Sequence, residues 1–139
     1  MDIVEATKDE WRELGFHYDV DDAARLWTIT GSIEGLANFI TILRDFAGNP
    51  RYDTPFEHDH YVPYAYLKIM NTPGERGFNS NALHAPREDF ATLANEIDLQ
   101  LSDAKVDSRF RFKHTFCPDS EYDLEIVVKP DDFDPGMFD

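Results

Sequence analysis

The sequence lacks several features that would assign it to a common functional class. It has a single cysteine, Cys117, in 139 residues, which excludes an internal disulfide and any paired-cysteine metal or redox motif. No run approaches the roughly 18 apolar residues of a membrane span. The acidic start of the chain has neither the basic nor the apolar part of a secretory signal. We therefore expect a cytoplasmic protein that does not contact a membrane.

Positive charge is also scarce. The chain has 13 lysines and arginines against 28 aspartates and glutamates, a net charge of −15, and the acidic excess is concentrated in residues 1–22 and 118–139. The electrostatic field of this negative charge repels DNA, RNA and anionic membranes, and it attracts basic proteins. Acidity also keeps a protein soluble. Charge alone therefore leaves two interpretations open, simple solubility and a basic protein partner.

The common catalytic and phosphate-binding motifs are missing as well. The chain has no GxSxG or SxxK nucleophile motif, and its glycines match neither the GxxxxGK[ST] nor the GxGxxG pattern. Cys117 lies between Phe116 and Pro118 without a cationic neighbour to activate its thiolate. We therefore expect a protein that is not an enzyme and that uses no cofactor.

The patterns that are present indicate one folded domain over residues 1–139. Apolar residues recur at helical spacing in residues 32–47 and 86–104, and Ser32 and Gly48 suit the two ends of the first helix. Alternating or apolar segments typical of strands occupy residues 15–20, 26–30, 64–70, 109–116 and 122–128.

These elements predict an α+β fold with one mixed, mostly antiparallel sheet of about five or six strands and two helices packed on one face. An acidic leader, residues 1–14, precedes it, and an acidic, partly mobile tail, residues 130–139, follows it. Residues 30–37 and 84–91 share a weak similarity, with a strand end, a cap and an apolar helix stripe in each. This echo suggests two similar structural units.

The segment at residues 57–61, EHDHY, is the most suggestive cluster. In a strand, His58 and His60 project to the same face. Two imidazoles on one face can bind zinc or another transition metal when a further ligand completes the shell, and His84 and His114 are the candidates. The same residues are also compatible with two other roles, polar side chains oriented by the backbone or direct contacts to a partner.

A family resemblance adds a functional hypothesis. The run WTITGSIEGL at residues 27–36, the helix after it, the EHDHY segment and the strand at 64–69 resemble small α+β immunity proteins of bacterial polymorphic toxin systems. The resemblance covers residues 15–70, and the remainder only by element order. It implies a stoichiometric inhibitor that covers a toxin domain, often a basic nuclease. The partner-binding residues it implies are Glu34, Glu57, His58, Asp59, His60 and Tyr61.

We therefore expect a stoichiometric binding protein that neutralises a basic toxin domain. The alternative is a metal-binding protein or a metal-dependent enzyme that uses His58 and His60. A third interpretation is an acidic subunit that forms homo-oligomers through an exposed sheet edge.

Overall fold

The computed structural model describes residues 3–138. Its helices and strands follow one another along the chain as α1 (Ile3–Leu14), β1 (His17–Asp21), β2 (Leu26–Gly31), α2 (Ile33–Gly48), a 3-10 helix (Pro50–Tyr52), β3 (His58–Tyr61), β4 (Leu67–Asn71), β5 (Gly77–Phe78), β6 (Leu83–Ala85), α3 (Asp89–Leu101), β7 (Arg109–Arg111), α4 (Lys113–Phe116), β8 (Asp123–Val128) and a second 3-10 helix (Pro135–Met137).

The strands form two four-stranded sheets, so the expected single sheet of five or six strands is wrong. The first sheet has the order β1-β2-β8-β7 and the second has the order β3-β4-β6-β5. The two central pairs, β2 with β8 and β4 with β6, are parallel, and the four outer pairs are antiparallel. The α+β class and the mixed, mostly antiparallel pairing are confirmed.

Two units of the same build explain this division. Each consists of a hairpin, a helix and a second hairpin: β1-β2-α2-β3-β4, then β5-β6-α3-β7-β8. In each hairpin, the strand that lies inside its sheet pairs with the inner strand of a hairpin from the other unit: β2 with β8, and β4 with β6. Each sheet therefore contains one hairpin from each unit. The echo between residues 30–37 and 84–91 marks the equivalent strand-to-helix transitions.

The helices α2 and α3 pack against each other and against the sheets. The Ser32 side chain accepts a hydrogen bond from the Gly35 amide and caps α2 as predicted. The apolar stripe of α2 is buried, as is that of α3. Both central strands of the first sheet contribute fully buried side chains to the same core, among them Trp27 and Ile126.

The leader packs against this core, and the tail packs against the leader. Residues 3–14 of the leader are helical, and Trp11 of α1 is fully buried against Tyr18 of β1. Arg12 pairs with Asp134 of the tail, with Nη2 at 3.0 Å from Oδ2. The backbone of Gly136 lies so close to α1 that a Cβ there would be 2.7 Å from the Lys8 carbonyl oxygen. Asp134 and Gly136 of the tail thus contact α1.

Two predicted strands are shorter than expected. Residues 109–116 form a strand only to Arg111, and the one-turn helix α4 follows. Arg111 donates to the buried carboxylate of Glu125, its partner residue on β8, whereas Lys113 lies in α4. The strand expected from residue 64 begins at Leu67, because residues 62–65 form the turn between β3 and β4. No helix within residues 3–138 is long and apolar enough to cross a membrane.

Candidate functional site

The EHDHY segment includes an edge strand. Within the described residues, β3 pairs only with β4, and its other side is not paired with a strand. His58 and His60 lie exposed on the outer face of the second sheet, while Asp59 and Tyr61 lie partly buried on the alternate face. The prediction that the two histidines share a face is confirmed.

The inward residues of this strand have internal partners. Asp59 Oδ2 accepts a hydrogen bond from the Tyr52 hydroxyl at 3.1 Å, and its Oδ1 accepts from the His60 amide at 3.0 Å. The Asp59 carboxylate therefore already accepts a hydrogen bond from the His60 N–H group, on the free edge of β3. This hinders pairing of that edge with another strand. Burial, with a further contribution from Asp59, raises the pKa of Tyr61. Asp59 and Tyr61 thus anchor the strand, and Glu57 is exposed.

The two histidines are oriented by main-chain carbonyls. His58 Nδ1 lies 3.0 Å from the Phe56 carbonyl oxygen, and His60 Nδ1 lies 2.8 Å from that of Ala65. Their ring centres are 4.9 Å apart.

A three-ligand metal shell does not form around this pair. Residues 3–138 contain no group of three or more histidine, cysteine, aspartate or glutamate side chains that could hold a metal. His84 is buried on β6, where its Nδ1 lies 3.0 Å from Thr72 Oγ1, and burial lowers its pKa. Its Nε2 lies over Gly77 of β5, the strand on the side away from β3. His114 is exposed on α4.

Glu34 lies at a different place, in the exposed first turn of α2. It lines a cavity of about 390 Å³ together with Arg12, Asn38 and Asp134. The glycines of the GSIEG motif allow close packing against residues 15 and 16. A Cβ on Gly35 would lie 1.9 Å from the Gly15 carbonyl oxygen, and one on Gly31 would lie 3.2 Å from Phe16 Cβ. The structure thus does not bring Glu34 into contact with residues 57–61.

A third surface feature is an apolar groove. It is a cavity of about 300 Å³ between α1, the tail and the β3–β4 turn, with a lining that includes Val4, Trp11, Tyr64 and Gly136. Val4 is 62% exposed and Tyr64 is 49% exposed. Most of the other exposed large apolar side chains belong to the same three segments: Ile3, Val62, Tyr66, Met137 and Phe138. The groove was not predicted from the sequence, although the apolar residues of the leader and tail were its signal.

The groove connects the two predicted places into one surface, which we call the binding belt. At one end, Asp134 of the Glu34 cavity is two residues from Gly136 of the groove. At the other end, the ring of Tyr64 is stacked on that of Tyr66, with centres 5.8 Å apart. Tyr66 in turn lines a cavity of about 270 Å³ with His60 and Lys68. The belt therefore runs from Glu34 through the groove to His60.

Ion pairing leaves unpaired acidic groups beside this belt. Most lysines and arginines already bind carboxylates of the same chain: Lys8, Arg12, Arg44, Arg76, Arg87, Arg109, Arg111 and Lys129. Within residues 3–138, Glu13, Glu34, Asp131 and Asp132 are exposed and have no such ion pair. The belt thus has an apolar centre and an acidic border near its α1, α2 and tail segments.

Comparison with known proteins adds no assignment: no protein-family model, no curated protein and no solved structure matches this chain.

Proposed function

We propose that this protein is a cytoplasmic, stoichiometric binding protein that neutralises a basic toxin domain, as the immunity proteins it resembles do. The observation that carries the proposal is the binding belt, an exposed apolar groove next to a cavity that Glu34, a carboxylate without an ion pair within residues 3–138, lines. Apolar patches with a polar rim are typical of protein interaction sites. Aromatic side chains such as Tyr64 and Tyr66 are common anchors in them.

Charge supports a basic partner. The chain carries −15 overall, and most of its own cations are held in internal ion pairs, including Lys8 of the groove lining, which pairs with Glu5. An acidic border steers a cationic protein into contact and speeds association at low ionic strength. The apolar centre then supplies the short-range contacts that slow dissociation.

The first experiment identifies the partner and its stoichiometry. The tagged protein is incubated with lysate of its source organism, washed at low and then high salt, and the retained proteins are identified by mass spectrometry. We expect a basic protein that, after purification, binds one-to-one and loses its toxic activity in the complex. Retention of acidic or neutral proteins alone would contradict the proposal.

Variants then locate the interface. Tyr64→Ala removes an aromatic anchor of the groove, and Leu99→Ala removes an apolar side chain that is 73% exposed on α3, outside the belt. Glu34→Gln and Glu121→Gln form the matched pair for charge, because Glu121 lines a different cavity. We expect weaker binding for Tyr64→Ala and Glu34→Gln only. Equal effects from the control variants would place the interface elsewhere.

A further inference from the structure

The outer face of the second sheet contains a pair of neighbouring histidines, and His60 of this pair also lies at the end of the belt. His58 and His60 lie on β3, directly opposite Met70 and Lys68 of β4. Asp59 between them points to the other face, where Tyr52 binds its carboxylate. The outward surface at this point therefore presents two imidazoles, a thioether and an ammonium group.

Hydrogen bonding assigns the same tautomer to both neutral rings. A carbonyl oxygen can only accept, so the contacts to Phe56 and Ala65 place a proton on Nδ1 of His58 and His60. The lone pair of each ring is then on Nε2. Histidines that bind metals usually donate their other ring N–H to a carbonyl or carboxylate in this way, which fixes the ring and raises its basicity.

The ring separation is compatible with a shared ion. A metal–nitrogen bond of about 2.0–2.1 Å places an imidazole centre roughly 3.2 Å from the metal. At a ligand angle of about 90–109°, which spans square-planar and tetrahedral coordination, the two ring centres would then be about 4.5–5.2 Å apart. The centres of His58 and His60 are 4.9 Å apart.

We propose that His58 and His60 bind one first-row transition metal ion through Nε2, in an open site with external ligands at its other positions. Imidazole ligands suit copper, nickel and zinc, and the usual order of affinity places Cu²⁺ first. The site has only two protein ligands, because residues 3–138 contain no larger group of metal-ligating side chains. The site shares His60 with the end of the binding belt, but metal binding there does not depend on the proposed toxin binding.

Calorimetric titration of tag-free protein with CuCl₂, followed by NiCl₂ and ZnCl₂, tests this site. We expect one Cu²⁺ per chain, with an electron paramagnetic resonance spectrum that shows two nitrogen ligands. His58→Gln and His60→Gln should each lower the Cu²⁺ affinity by at least the roughly 10–100-fold that follows the loss of an outer-shell partner. His114→Gln, which changes an exposed histidine on α4, should leave the affinity unchanged.

Lys68 provides a second test with the opposite sign. Its ammonium group lies on the same face and disfavours a cation nearby, so Lys68→Met should raise the Cu²⁺ affinity several-fold at low salt. Circular dichroism shows that each variant is folded before it is titrated. Unchanged Cu²⁺ binding in the His58→Gln, His60→Gln double variant would overturn the proposal. Loss of binding in His114→Gln would do the same.

Discussion

The contact between Gly15 and Gly35 sets the position of α1 relative to α2, and a single methyl group tests it. Gly15 ends α1 with a positive φ of 93°, and its amide donates to the Trp11 carbonyl at 3.0 Å. Gly35 lies beneath its carbonyl in the first turn of α2. In a Gly35→Ala variant the new Cβ would lie 1.9 Å from that oxygen.

The cost follows from this distance. Relieving the clash requires a shift of more than about 1 Å between two packed backbone segments, and overpacking of this kind costs about 1–3 kcal/mol or more. The intrinsic helix preference of alanine over glycine offsets only about 0.5–1 kcal/mol. We therefore expect Gly35→Ala to lower the free energy of unfolding by about 1–2 kcal/mol. For a chain of this size, that lowers Tm by about 2–8 °C.

Gly48 at the end of the same helix is the matched control. A Cβ there meets no atom within 4 Å, so Gly48→Ala should raise stability by about 0.4–1 kcal/mol through the lower entropy of the unfolded chain. Thermal and urea unfolding of both variants, followed by circular dichroism, measure the two changes. A Gly35→Ala variant as stable as Gly48→Ala would contradict the close approach of the Gly35 backbone to the Gly15 carbonyl.

Three further predictions concern buried groups. Glu125→Gln should lower the free energy of unfolding by about 1–2 kcal/mol in urea, because the buried carboxylate accepts from Arg109 and Arg111, which are themselves exposed. Burial raises the pKa of Cys117 to about 11, so the thiol is protonated at pH 8, and Ellman's reagent should react much more slowly with native than with urea-unfolded protein. Burial lowers the pKa of His84 from its ordinary 6.5. Because the folded protein favours the neutral ring, the contribution of His84 to the free energy of unfolding is fully present above pH 6.5 and is lost as the pH falls. Proton NMR of the folded protein should show His84 titrating below pH 6.5.

Each of these has a contradicting result. An unchanged urea midpoint for Glu125→Gln would show that the ion pairs with the two arginines contribute nothing. Rapid modification of the native Cys117 thiol would show that it is accessible and ionised. A pKa above 6.5 for His84 would show that its buried environment favours the charged ring.

The strand-to-helix transitions could be predicted because their signals are local. Ser32 caps α2, and the apolar spacing of residues 33–46 and 90–101 identifies the buried faces of both helices. The spacing of two residues between His58 and His60 likewise places both on one face of a strand, independently of which strands pair with it. Such features depend on a few neighbouring residues and on the geometry of a single element.

The division into two sheets was not predictable from the same signals. The pairings of β2 with β8 and of β4 with β6 join strands that are distant in the sequence, and no local pattern specifies them. The binding belt was missed for a related reason. Val4, Tyr64 and Gly136 come from three separate segments, and only the packing of α1 and the tail brings them together.

The central claim is that the belt captures a basic protein, and association kinetics test it most directly. Surface plasmon resonance with the purified partner would compare the wild type, Glu34→Gln and Tyr64→Ala at several salt concentrations, with Glu121→Gln as the control. We predict one-to-one binding whose association rate falls with salt and with Glu34→Gln, and a dissociation rate that rises with Tyr64→Ala. An association rate that is independent of salt, together with wild-type kinetics in both belt variants, would contradict the account.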